Sequence, residues 1–309
     1  MQFYLPIAEM PVNMLTLLGM SGAVGFVAGM FGVGGGFLLT PFLIFMGIPA
    51  PVAVATASAQ ITASSVTSAL SAWRRGAVDL KMAALLVAGG LSGTVLGILF
   101  FNAMRRIGQL DLIISLSYIV LLVGIGAIML TESLRALLRR TQDVAGQRQR
   151  PPGSHRWFEA LPLRQRFPQS GLYLSILPFL LAGLVFGFIG AVLGIGGGFM
   201  VVPALIYIFR IPVSVVVGIS QMQILCTMLA ATLLHAITSG TVDIVLALVL
   251  IVGGVFGAQM GVRAAARMNA VEFRVLLALL ILAVGARFAA DVVLKPADPF
   301  SIVRLEKVP

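Results

Sequence analysis

The sequence is poor in charge. Only 10% of its 309 residues are Asp, Glu, Lys or Arg, against about 25% in an ordinary soluble domain. So few charges cannot cover a water-exposed surface of this size. With 59% hydrophobic residues and a mean hydropathy of +1.06, the chain needs a bilayer around it. Cysteine is nearly absent as well. Cys226 stands alone, which excludes an internal disulfide and any cysteine-based metal cluster, and in its apolar run the thiol acts as a small hydrophobe. There are two histidines, of which only His235 lies in an apolar segment, and no Asp or Glu lies at the middle of any such segment. An intramembrane enzyme needs a nucleophile–base pair or clustered metal ligands there. No enzymatic activity, metal or cofactor is therefore expected. The start of the sequence has no basic stretch before its first apolar run, so no cleaved signal peptide is expected either.

Positive charge is the exception to this scarcity, at a net +10. Its distribution argues against a nucleic-acid partner. Eight of the 21 Lys and Arg are Arg135, Arg139, Arg140, Arg148, Arg150, Arg156, Arg164 and Arg166. Most others sit at the ends of apolar runs, as the positive-inside rule requires, and no helix-length segment carries a basic stripe interleaved with aromatics. The stretch 132–171 contains Pro151-Pro152-Gly153 and lacks a sustained apolar period. It reads as a basic linker facing the cytoplasm and anionic lipid, with a short amphipathic helix expected around 155–163. The domain plan is a first membrane unit over 1–131, this linker over 132–171, a second membrane unit over 172–294, and a tail over 295–309.

Apolar segments fall at 14–47, 51–73, 82–101, 111–131, 172–210, 213–238, 243–262 and 273–294. A straight span needs about 20 residues. The first and fifth segments are too long: as continuous helices they would measure about 50 and 60 Å. Each is interrupted by a glycine triplet, Gly34-Gly35-Gly36 and Gly196-Gly197-Gly198, followed by Pro41 and Pro203. These read as broken helices. A break at membrane depth must be buried in protein or line a polar cavity, because the freed backbone groups need partners.

The two breaks belong to a repeat. GMFGVGGGFLLTPFLIFMGIP at 29–49 matches GAVLGIGGGFMVVPALIYIFRIP at 190–212, with the triplets 162 residues apart. Pro49 and Gln60 then pair with Pro212 and Gln223 at an offset of 163, and Gly76, Asp79, Gly90, Gly93 and Gly97 with Gly240, Asp243, Gly254, Gly257 and Gly261 at 164. Chance apolar similarity does not align the rare polar residues too, and two-fold repetition is a common build for secondary transporters. The fold expected is an all-α integral membrane protein of two homologous halves, each a glycine-broken helix or hairpin plus three transmembrane helices. A hairpin that enters and leaves on one side makes the halves inverted; one span plus a surface piece makes them parallel. Either arrangement puts 15 of the 21 Lys and Arg on the linker's side and six opposite, so charge does not choose. Segment length and the mid-segment break favour the inverted hairpin.

A glycine run that opens a half-helix leaves backbone N–H groups free at the positive end of a helix dipole, which is a ready anion site. Gly34, Gly35, Gly36 and Phe37 form one such end, and Gly196, Gly197, Gly198 and Phe199 the other. The bland alternative is close helix packing, which favours spaced glycines over a consecutive triplet. The helices that follow supply hydroxyls and amides: Thr56, Ser58 and Gln60 in the first unit, Ser220, Gln221 and Gln223 in the second. A mid-membrane glutamine is costly and usually bonded. The paired Gln60 and Gln223 therefore either grip an anion's oxygens or bond between helices. His235 reads as structural rather than as a proton relay, and Asp79 and Asp243 as N-caps.

GVGGGFLLTPFLIFMGIP followed by AVATASAQ and WRRGAVDLKMA, and again GIGGGFMVVPALIYIF with VVVGISQ and SGTVDI, resembles the sulfite exporter TauE/SafE family over nearly the whole chain outside 132–171 and the tails. The resemblance implies a multi-pass transporter of the inner (plasma) membrane whose partner is a small anion such as sulfite or an organosulfonate like sulfoacetate. One departure stands out. The family's Gly-Thr-Ser turn reads Ala55-Thr56-Ala57 and Gly218-Ile219-Ser220 here. An anion-selective channel, or transport of another small organic anion, is the alternative. Oligomeric state, coupling ion and direction of transport stay open.

Overall fold

The computed structural model describes residues 2–31, 36–74, 76, 78–139, 164–166, 173–207, 211, 213–265 and 270–294. The helix expected at 155–163, the tail 295–309, Gly34 and Gly35 lie outside them. The chain is an all-α membrane protein. A short hairpin of β1 (Gln2–Leu5) and β2 (Met10–Asn13) leads into α1 (Met14–Phe31), α2 (Gly36–Phe45), α3 (Ala50–Arg74), α4 (Leu80–Ile107) and α5 (Leu110–Arg139). The same order then returns: β3 (Arg164–Arg166), β4 (Tyr173–Ser175), α6 (Ile176–Leu193), α7 (Gly198–Tyr207), α8 (Val213–Thr238), α9 (Ile244–Ala265) and α10 (Ala270–Leu294). Among the described residues five stretches are apolar enough and long enough to span: Leu80–Ile107, Leu110–Thr131, Ile176–Leu193, Val215–Thr238 and Ile244–Gly261. Two boundaries differ from the sequence reading. Helix α5 continues past residue 131 to Arg139, and β3 lies inside the stretch expected to be linker.

Helix starts follow the residues. Asp79 caps α4, its carboxylate accepting from the N–H groups of Lys81 (3.2 Å) and Met82 (3.4 Å). Asp243 caps α9 in the same way, accepting from Val245 (3.1 Å) and Leu246 (3.0 Å). Asp243 does more than cap. It also accepts from the Ile7 N–H in the first hairpin, while its own N–H donates to the Thr56 hydroxyl of α3. One buried aspartate, through its carboxylate and its N–H, thus ties three elements together.

The spaced glycines explain the packing. A Cβ at Gly25 would overlap the backbone of Gly254, and one at Gly257 that of Gly22, so α1 lies backbone to backbone on α9. In the same manner Gly187 of α6 lies on Gly90 of α4, and Gly93 on the Leu184 carbonyl. Small residues give such contacts in membranes, where helix association rests on van der Waals packing. Each early helix is therefore seated on the glycine ladder of the opposite half.

Helix directions follow from the registers. Gly89, Gly93 and Gly97 face Leu180, Leu184 and Phe188, so α4 and α6 are parallel. Gly22 faces Gly253 and Gly29 faces Ala258, so α1 and α9 are parallel. Thr56 meets Asp243 and Gln60 meets Gly254, which aligns α3 with α9; Gly90 meets Gln223 and Asn102 meets Thr238, which aligns α4 with α8. Five residues separate α3 from α4, too few to recross a span, so these two run oppositely. Hence α3 and α8 run in opposite senses.

Candidate functional site

The break between α6 and α7 meets the start of α2. Ile61 lies eleven residues into α3, about 16 Å along it at 1.5 Å per residue. Gly36, the first residue of α2, sits against the Ile61 side chain, and a Cβ on Gly36 would come within 3.1 Å of the Gly194 carbonyl oxygen. Gly196 lies between Ile61 and Ile224: a Cβ there would be 2.9 Å from Cγ2 of Ile61 and 3.4 Å from Cγ2 of Ile224. Both isoleucines are fully buried. They stand 163 residues apart, each one position after a paired glutamine.

A helix that ends at membrane depth strands its last carbonyls, and each costs several kcal/mol if left without a partner. At the end of α6 three of the last four carbonyls are taken, and so is that of Gly194 just beyond. Gly190 accepts from the Gly194 N–H (2.8 Å), Leu193 from the Tyr118 hydroxyl of α5 (2.6 Å), and Gly194 from the Thr40 hydroxyl of α2 (3.3 Å). Nε2 of His235 in α8 lies 3.2 Å from the Ala191 carbonyl. Tyr118 is held for this task by stacking on Phe288 of α10, with ring centroids 5.5 Å apart and planes 4° from parallel.

The other side of the break is different. Gly194, Gly196 and Gly197 have φ of +65°, +73° and +70°, a left-handed region open to glycine at no steric cost. That path turns the chain into α7, where the Gly197 carbonyl accepts from Met200 (2.9 Å) and Val201 (2.8 Å). The N–H groups of Gly196, Gly197 and Gly198 have no acceptor among the described residues. At the break the carbonyls of Gly190, Ala191, Leu193, Gly194 and Gly197 have partners, while the N–H groups of Gly196, Gly197 and Gly198 stand free among the described residues at the positive end of the α7 dipole.

The other expected site residues divide. Phe37 is buried beside Gly36 in α2, and Phe199 follows Gly198 at the start of α7. The Thr56 hydroxyl is used by Asp243, that of Ser58 donates to the Val54 carbonyl (2.9 Å), and that of Ser220 to the Val217 carbonyl (3.1 Å). Gln221 is buried and bonded. Gln60 and Gln223 do not converge. Gln60 points to Gly254 and Ser21, at the seam of α9 and α1, whereas Gln223 points to Gly90 and Thr227, at the seam of α4 and α8. Gln223 is fully buried, and neither its Nε2 nor its Oε1 has a partner among the described residues. No group of three or more His, Cys, Asp or Glu that could hold a metal occurs among the described residues. Sequence reasoning missed Tyr118, Thr40 and the Ile61–Ile224 pair. Only the last had a signal, its shared offset with the glutamines.

Comparison with known proteins agrees with this architecture. The model of the family described as sulfite exporter TauE/SafE matches residues 17–288. A probable membrane transporter protein of Bacillus subtilis, YjnA, is 30% identical over 85% of this chain and 95% of its own length. A second from that organism, YunE, is 25% identical over 88% and 95%. A probable membrane transporter protein of Xylella fastidiosa is 28% identical over 84% and 87%. No solved structure gives a significant match.

Proposed function

The chain belongs to the sulfite exporter TauE/SafE family and is a membrane transporter, and we propose that it moves a small sulfur-containing anion, sulfite or an organosulfonate such as sulfoacetate. The observation that carries this reading is the run of free N–H groups at Gly196, Gly197 and Gly198, at the start of α7, with glycine backbone in place of side-chain bulk. An anion is the ligand such a helix start accepts. No charged side chain is needed, and α6 and α7 carry no Asp, Glu, Lys, Arg or His.

The two halves are inverted repeats in this reading. The opposite senses of α3 and α8 support it, as does the reciprocal seating of α1 on α9 and α6 on α4. The hairpins α1–α2 and α6–α7 then enter from opposite faces of the inner membrane and meet at Ile61 and Ile224. The side that carries the α5 end and the 132–171 stretch is cytoplasmic, because it holds most Lys and Arg. Ile61 and Ile224 close the centre, which favours alternating access over an open pore. The anion binds when one hairpin withdraws from its isoleucine, and rocking exposes it to the other face.

The test is ligand-dependent thermal stabilisation of the purified protein by sulfite, sulfoacetate and taurine, with chloride as control. A tight ligand present at 100 times its Kd adds about 2.7 kcal/mol. Stabilisation by a sulfur oxyanion or sulfonate but not by chloride is the expected result; none by any of them contradicts the reading.

A further inference from the structure

His235 is fully buried near the end of α8, with its ring edge-on to Phe101 of α4 at 4.6 Å between centroids. Its Nε2 faces the Ala191 carbonyl at the end of α6 (3.2 Å), and an acceptor there requires the proton on Nε2. Nδ1 is then a bare lone pair, and it has no partner among the described residues. The elements around it offer no counter-charge. Helices α6 and α7 carry no Asp, Glu, Lys, Arg or His, and α3 carries only Arg74, at its end. Helix α4 has Lys81 at its far start and Arg105 and Arg106 at its near end, with Arg105 bonded to the Ser239 carbonyl. Asp243, which follows α8, has its carboxylate engaged by Ile7, Val245 and Leu246.

We propose that His235 is a proton-linked latch on the α6–α7 break: neutral, it holds the break shut through Ala191, and uptake of a proton at Nδ1 accompanies its opening. The proposal rests on the reading of that break as part of the transport path. An imidazolium in the arrangement described would be a buried cation without a carboxylate, a costly state. A state in which the ring swings clear of Phe101 and lets water reach Nδ1 binds the proton better. By linkage, protons therefore shift the population towards that open state. The step moves one proton and nothing else: water gives it to the Nδ1 lone pair as the break opens, and the imidazolium returns it to water before the Nε2–Ala191 contact re-forms. Among the described residues this latch has no copy in the first half, since positions 71 and 72, opposite His235 in the repeat, are Ser and Ala. The proton would thus act on one hairpin of the two.

The experiment is amide hydrogen exchange on the full-length protein in lipid nanodiscs without added anion, reading the amides of Leu193 and Gly194, the latter bonded to the Gly190 carbonyl, from about pH 7.5 down to about pH 5.5. With intrinsic exchange rates corrected, the native break should exchange faster in acid, its opening equilibrium rising by up to about tenfold per pH unit for one linked proton. His235→Gln places an amide nitrogen near the Nε2 position and cannot titrate, so its break should stay protected at both ends of the range. His235→Asn is too short to reach Ala191 and should exchange fast at every pH. A pH-independent native break, or a native-like pH response in either variant, overturns the proposal. If His235→Gln is not recovered as folded protein, His235→Asn decides alone. No anion is present, so failure to bind sulfite or sulfonates would remove the anion reading and leave this result standing.

Discussion

Ile61 and Ile224 close on Gly196 from two helices that run in opposite senses, and neither is exposed to any extent. In the proposed alternating-access cycle they are the plug of the closed state. Truncation to Ala leaves a cavity and costs about 2–5 kcal/mol of stability at each site. It also removes what separates the two breaks. Ile61→Ala combined with Ile224→Ala should therefore give a downhill anion leak in proteoliposomes, read by a fluorescent anion indicator, while the native protein stays tight. A double variant that still inserts and remains tight would show that the plug lies elsewhere.

Tyr118 offers a cleaner energetic test. Tyr118→Phe keeps the ring and its stacking on Phe288 but deletes the donor to the Leu193 carbonyl. A buried carbonyl left without its partner costs about 1–3 kcal/mol. The apparent melting temperature in detergent should fall accordingly, and exchange at the bonded amides of Leu193 and Gly194 should rise. An unchanged melting temperature would mean that this carbonyl is satisfied by another route.

The glycine ladders make a prediction of contrast. Gly25→Val and Gly187→Val each thrust a side chain into a facing backbone, so both should lower the yield of folded protein severely. Gly19 and Gly124 have nothing within 4 Å of a built Cβ. Alanine there should be neutral, or stabilise the helix by up to about 1 kcal/mol. Size-exclusion recovery from matched membranes compares the four.

Much of this was legible in the sequence. The triplet Gly196-Gly197-Gly198 gave the break after α6 because three consecutive glycines have little to do in an unbroken apolar helix. Asp79 and Asp243 gave the starts of α4 and α9 because a carboxylate after Gly-x-Val has the first-turn N–H groups to accept. The partners of the break were hidden. Tyr118, Thr40 and His235 lie 75, 154 and 44 residues from the carbonyls they face, and no local pattern links residues so far apart. The short hairpins were missed because strands of three or four residues carry no period. The glutamines face away from the break for a geometric reason. One helical position is a rotation of about 100°, which turns Ile61 and Ile224 towards the breaks and Gln60 and Gln223 towards the seams.

Gln223 separates structure from function. A buried amide with both ends unbonded destabilises the protein, so Gln223→Leu should raise the melting temperature, by about 1–3 kcal/mol equivalent if the leucine fits. If the amide serves the anion, the same variant should bind sulfoacetate at least about tenfold more weakly, a difference of about 1.4 kcal/mol. Higher stability with unchanged binding would assign the glutamine to packing alone.

The most direct test of the central claim is counterflow in proteoliposomes with labelled sulfoacetate or sulfite, comparing the native protein with Gly197→Val. Position 197 has φ of +70°, which a β-branched residue cannot adopt without strain, so the variant should distort the donor end of the break while the spans still insert. The expected result is saturable counterflow by the native protein and none by Gly197→Val present at the same level in the membrane. Equal counterflow by the two would contradict the account.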